Sequence, residues 1–140
     1  MVHSHRLSNR PTLPVLSGTI ISILTVLLLT VIFPVYNYGP TPIGELVWFG
    51  IGMFFIVTIP IYLFQKYGVI SSLMVALGSF LTAVAMTWLR IAEAAQAGAA
   101  LSAGPTVLYL YLFFWLLPLA IALVVGGGEY LLRQGWNTSR

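Results

Sequence analysis

Residues 67–89 read YGVISSLMVALGSFLTAVAMTWL, a run of 23 positions without one charged side chain. A helix rises ~1.5 Å per residue, so about 20 apolar residues cross the ~30 Å of bilayer hydrocarbon. Working outward, three more stretches meet the same requirement: about Val15–Tyr36, Ile43–Phe64 and Thr106–Gly128. Glu45, near the start of the second, is the only charge in any of the four. The reading is an all-α integral membrane chain, a single transmembrane domain over residues 1–140. Its four transmembrane helices, about 15–36, 43–64, 67–91 and 105–132, are expected to form an antiparallel up-down bundle. Mobile tails are expected at 1–11 and 134–140.

Composition excludes the soluble alternative. Of 140 residues, 59% are hydrophobic and 6% charged, against roughly 25% charged in ordinary globular proteins. A soluble chain this short leaves much of its surface in water, and six basic and three acidic side chains cannot cover it. The net charge of +3 comes from residues at segment ends. It forms no basic stripe with interleaved aromatics, so nucleic acid is not an expected partner. Cysteine is absent, which removes disulfides, thiolate metal sites and thiol nucleophiles.

Local signals punctuate the spans. The first follows Arg6 and Arg10 as a signal peptide would, but it is longer than an h-region and lacks an A-x-A-like site after it, so a retained helix is expected. Pro34 and Asn37-Tyr38-Gly39-Pro40 end that helix. Thr41 reads as an N-cap with Pro42 at the first helical position. Gln65-Lys66-Tyr67-Gly68 reads as a tight turn. The Ala-rich stretch 91–104 either prolongs the third helix or lies along the surface, and Gly104-Pro105 starts the fourth. Pro60 and Pro118 are expected to kink the second and fourth helices, Pro118 by freeing the carbonyl of Phe114.

Arg6, Arg10, Lys66, Arg133 and Arg140 would lie on one side and Arg90 alone on the other, which places both termini in the cytoplasm. The expected location is a prokaryotic plasma membrane. Tyr36, Tyr38, Trp48, Trp88 and Tyr109 fall near the outer interface, and Tyr62, Tyr67, Tyr130 and Trp136 near the inner one, as aromatic belts do.

Small residues let membrane helices approach closely. Gly18, Ser22 and Thr25 form one such stripe, and Ser72, Ala76, Ser79 and Ala83 another. The expectation is that the first and third helices pack through them.

Intramembrane ionisable groups are the default functional signal, and here each has a structural explanation. Glu45 suits the positive end of a helix dipole; Arg90 with Glu93, and Glu129 with Arg133, are spaced to pair on one helix face. Glu129 is the first candidate for a functional group, able to meet a cationic ligand or lipid headgroup. Glu45 is the second, with Arg90 as a neighbour across the outer surface. His3 and His5 alone make a poor metal site. No His or Cys lies in a span to ligate haem, which leaves only Met53, Met74 or Met86. No metal, cofactor or enzymatic activity is therefore expected, since no acid–base pair or activated nucleophile is visible. The expected function is a non-catalytic accessory or assembly subunit, or scaffold, of a membrane complex. Its partners would be lipid and other membrane subunits or further copies of the chain. The alternative is a small oligomeric transporter or channel using the second and fourth helices.

Overall fold

A computed structural model describes residues 12–32, 41–98 and 105–138, all helical apart from short connections and without strands. Helix α1 spans Thr12–Leu27 and continues into a π-helical turn over Leu28–Ile32. Helix α2 spans Ile43–Tyr67, α3 Ile70–Gln96, α4 Val107–Phe113 and α5 Leu116–Thr138. Among the described residues, four helical stretches are long and apolar enough to cross a membrane: 12–31, 43–67, 70–96 and 116–137. Their outward faces are large and apolar, as lipid requires: Ile43, Val124, Leu132 and Met74 are all exposed.

Several boundaries differ from those read in the sequence. Helix α1 begins before residue 15, because Pro14 is tolerated in a first turn, where its missing N–H has no partner to lose. Thr41 does not cap α2; Pro42 occupies the cap position without a side-chain bond, and its carbonyl accepts from the N–H groups of Glu45 and Leu46. Helix α2 runs through Tyr67 and stops at Gly68, whose φ of 67° is left-handed backbone that glycine adopts without steric cost. The Ala-rich stretch prolongs α3 to Gln96, after which Gly98 is again left-handed at φ 60°. Twenty-seven residues in α3 make ~40 Å, so its Arg90 and Glu93 end can clear the hydrocarbon. Helix α5 continues through 134–138, where a tail is expected from the sequence, in spite of Gly135 and Asn137. The remaining tail residues and residues 33–40 and 99–104 lie outside the described residues.

Pro118 does not simply kink a continuous helix. The chain breaks at Phe114–Trp115 and Pro118 becomes the third residue of α5. The physical reason lies in the carbonyl that Pro118 cannot serve. Phe114 O is taken by the N–H of Leu117 at 2.9 Å, one residue nearer than an α-helical bond, which tightens the turn. That leaves the Phe113 carbonyl without its usual partner, and the indole Nε1 of Trp48 on α2 donates to it at 3.1 Å. Broken helices persist at membrane depth only where neighbouring groups satisfy the freed backbone, and a tryptophan from α2 does so here. Pro60, by contrast, is buried inside α2, which continues past it without a break.

Helix α2 is the hub. It contacts α1 on one side and α3, α4 and α5 on the other. The core is built from Phe49, Met53 and Ile56 of α2, Ala76 and Ala83 of α3, Leu108 and Leu112 of α4, and Trp115 and Leu119. Helix α1 packs on α2 and scarcely touches α3, which corrects the expected pairing of the first and third helices. Gly18 faces Phe54 and Thr58, so closely that a Cβ there would collide with the Thr58 hydroxyl. Ser22 Oγ donates to Gly50 O at 2.8 Å, and Thr58 Oγ1 donates to Pro14 O at 3.3 Å. The α3 stripe packs instead on the fourth span. Ser72 approaches the backbone at Gly126, Ser79 Oγ lies 3.3 Å from Tyr111 Oη, and Ala76 and Ala83 enter the core. A small-residue face favours close approach by any helix. Gly50 on α2 supplies that fit for Ser22.

Candidate functional site

Two clusters of polar side chains lie at opposite ends of α2. The first gathers around Glu129. Helix α3 starts at Ile70 with Val69 at its cap position, and valine has no side-chain acceptor for the orphan N–H groups of the first turn. The carboxylate of Glu129 supplies one from α5, its Oε2 accepting from the Ser71 N–H at 2.9 Å. Its Oε1 pairs with Arg133 Nη2 at 2.5 Å, one helical turn away. Arg133 Nη1 in turn donates to Gly68 O at 3.1 Å, a carbonyl beyond the end of α2 that α2 itself does not use. Tyr67 and Tyr130 meet edge to face at 5.2 Å beside this cluster, and Lys66 lies over the rings of Tyr62 and Tyr67.

The carboxylate of Glu129 therefore caps one helix, while its guanidinium partner holds the exit of another. The sequence shows only the Glu129–Arg133 spacing of this arrangement, because the capped N–H lies 58 positions away.

The opposite end has a matching device. Thr106 caps α4 locally, its hydroxyl accepting from the Tyr109 N–H at 3.2 Å. Thr87 on α3 caps the same helix from outside, accepting from the Leu108 N–H at 2.9 Å, with both threonines buried. Sequence reasoning does not single out Thr87; a lone threonine in an apolar run carries no signal of its partner.

The second cluster centres on Glu45, in the first turn of α2. Tyr109 Oη donates to Glu45 Oε2 at 2.5 Å. No hydrogen bond or ion pair engages the other carboxylate oxygen among the described residues. Glu45 and Arg90 do not meet, and Arg90 and Glu93 form no ion pair; among the described residues the one salt bridge is Glu129–Arg133. Next to Glu45 the break in the fourth span opens a groove of about 640 Å³. Its walls include Trp48 on α2 and Phe113, Phe114, Leu117 and Ala120 on the other side, with Glu45 at the margin. The aromatic rings are held in fixed relation. Trp48 lies 5.4 Å from Trp115, Tyr109 stacks on Phe113 at 6.5 Å, and Phe113 meets Phe114 at 5.1 Å. Trp115 sits against Gly52, where a Cβ would run into the indole ring.

Of the residues singled out for chemistry, Glu129 and Arg133 come together as a structural latch, and Glu45 comes together with Tyr109 at a groove. Arg90 and Glu93 join neither. His3 and His5 lie outside the described residues. Among the described residues no three His, Cys, Asp or Glu side chains gather as a metal site would require. Comparison of the chain with protein-family models, with characterised proteins and with solved structures finds no match.

Proposed function

We propose that the chain is a non-catalytic accessory or assembly subunit, or a scaffold, of a membrane complex. In this reading it is an antiparallel up-down bundle in a prokaryotic plasma membrane, both termini cytoplasmic. One observation carries it: several polar side chains of the spans hold one helical element to another. Ser22, Thr58, Thr87, Glu129 and Arg133 each bond to the backbone of another element. Lipid provides no hydrophobic drive for helices to associate, so such bonds and close packing are what define a rigid bundle. A rigid bundle with an apolar outer wall is suited to present a surface to a neighbouring subunit. The outward face of α1, with Leu16, Ile20, Ile23 and Leu27 exposed, is one such wall, since α1 is held chiefly by α2.

Native mass spectrometry of the tagged protein, extracted from its own membrane at natural abundance, tests this. A stoichiometric foreign subunit is the expected result; a chain that comes out alone or only with itself overturns the reading. The broken fourth span favours a second reading, an oligomeric transporter or channel. Substrate flux in proteoliposomes holding only this protein would establish that reading, and tight vesicles would remove it.

A further inference from the structure

We infer that Lys66 and Tyr62, at the end of α2, form a seat for the phosphate of an anionic phospholipid whose headgroup carries no cation of its own. A lysine near the end of a membrane helix ordinarily extends its stem so that the ammonium reaches water. Lys66 does the reverse. Its ammonium lies back along α2, donating to Tyr62 Oη at 3.1 Å, with the ring centres of Tyr62 and Tyr67 at 5.5 and 5.2 Å. Tyr62 lies one helical turn, about 6 Å, nearer the middle of the span than Lys66. The charge is thus held on the hydrocarbon side of its own backbone, where a counter-ion is worth most.

The chain does not supply that counter-ion. Among the described residues Lys66 pairs with no carboxylate, and the one salt bridge is Glu129–Arg133. Glu129, the acid at this end, has both oxygens engaged, one by the Ser71 N–H and the other by Arg133. The two tyrosine rings hold the ammonium by their quadrupoles and neutralise nothing.

The donors suit a phosphate. An ammonium has three N–H groups, and Tyr62 takes one of them. The Tyr62 hydroxyl accepts that bond and keeps its own O–H to donate. Two adjacent donors, one of them charged, can each meet an oxygen of the same phosphate group through charge-assisted bonds. A glycerol headgroup adds no charge to that phosphate. A choline or ethanolamine headgroup would bring a second cation beside Lys66, with neither oxygen of Glu129 left to receive it. The position favours a lipid over free phosphate. Tyr62 and Tyr67 are 41% and 40% exposed at the end of a span, where aromatic rings lie among headgroups. The inference rests on the four apolar helices lying in a membrane, and is independent of the accessory role and of which side this end faces.

The test is native mass spectrometry of the delipidated full chain in a non-ionic detergent, titrated with phosphatidylglycerol or with phosphatidylcholine of the same acyl chains. The first phosphatidylglycerol should bind about fivefold more tightly than the first phosphatidylcholine, the scale set by one basic residue at an anionic surface. Lys66→Gln, at an exposed position, should bring the two lipids level. Tyr62→Phe keeps the ring and removes the second donor, and should roughly halve the preference. Arg90→Gln, which removes a cation at the opposite end of the bundle, should leave it intact. Equal binding of the two lipids to the unaltered chain would overturn the inference, as would a preference that survives Lys66→Gln. Equal loss in Lys66→Gln and Arg90→Gln would show attraction by net charge alone and also overturn it. A preference unchanged in Tyr62→Phe would refute the paired-donor seat. Displacement of phosphatidylglycerol by inorganic phosphate would assign the seat to a soluble anion and refute the lipid.

Discussion

Thr87 and Glu129 have a role in common, since each satisfies the first turn of a helix to which it does not belong. The first N–H groups of a helix have no internal partners, and in a bilayer water cannot replace them. Thr87 is 3% exposed, so Thr87→Val would leave the Leu108 N–H without this acceptor while nearly conserving shape. A buried donor without a partner costs about 1–3 kcal/mol, and a correspondingly lower thermal unfolding midpoint in detergent is expected. Thr87→Ser keeps the oxygen and should stay near the wild type; equal stability of the valine and serine variants would deny the cap. At Glu129 two bonds are at stake, to Ser71 and to Arg133. Glu129→Ala should lower the unfolding midpoint more than Glu129→Gln, which keeps an acceptor for Ser71. The reverse order would mean that the latch does not hold α3. Sequence spacing exposes the Glu129–Arg133 pair because both lie on one helix. It cannot expose the Ser71 contact, which depends on how two helices lie together.

The elements are legible as apolar runs, and their pairing is not. Residues 67–89 announce a span by length and absence of charge alone, and the second stretch does so with Glu45 as its one charge. The stripe of Ser72, Ala76, Ser79 and Ala83 marks a packed face, yet a stripe of small residues does not name its neighbour. Gly18 and Ser22 meet Thr58, Phe54 and Gly50 on α2 rather than the α3 stripe. The site of the fourth-span interruption is equally hidden. Pro118 signals trouble one turn upstream, but whether the chain bends or breaks depends on which groups take the freed carbonyls, and Trp48 is 65 positions from Phe113. Gly18→Leu should drive α1 off α2 and lower stability sharply, whereas Gly78→Ala, with nothing within 4 Å of the added Cβ, should be tolerated. Similar unfolding midpoints for the two would contradict the α1–α2 seam. Trp48→Phe keeps an aromatic ring but removes the donor to Phe113 O, and should make the 113–117 segment more susceptible to limited proteolysis. Unchanged cleavage there would show that the indole bond is dispensable.

At the scale of the molecule, the contacts collect the chain into two ends. Pro14 lies near Thr58, Gly68 near Arg133, and Ser71 near Glu129, which brings the start of α1, the α2–α3 connection and the last part of α5 toward one end. Thr87, Leu108, Tyr109 and Glu45 collect at the other. The basic residues Lys66 and Arg133 lie at the first end and Arg90 follows Thr87 at the second, which is the asymmetry that would place the first end in the cytoplasm. In that orientation the groove beside Glu45 would open toward the outer half of the bilayer. The cytoplasmic placement of the first end and the direction of the groove both presuppose four crossings with both termini on one side. With no native cysteine to remove, the most direct measurement is accessibility of single cysteines at Ser102 and Ser139 to a membrane-impermeant maleimide in intact cells. Four crossings with both termini inside require that the residue-102 cysteine is labelled from outside, and the residue-139 cysteine only after the membrane is permeabilised. Labelling of both from the same side would contradict this arrangement.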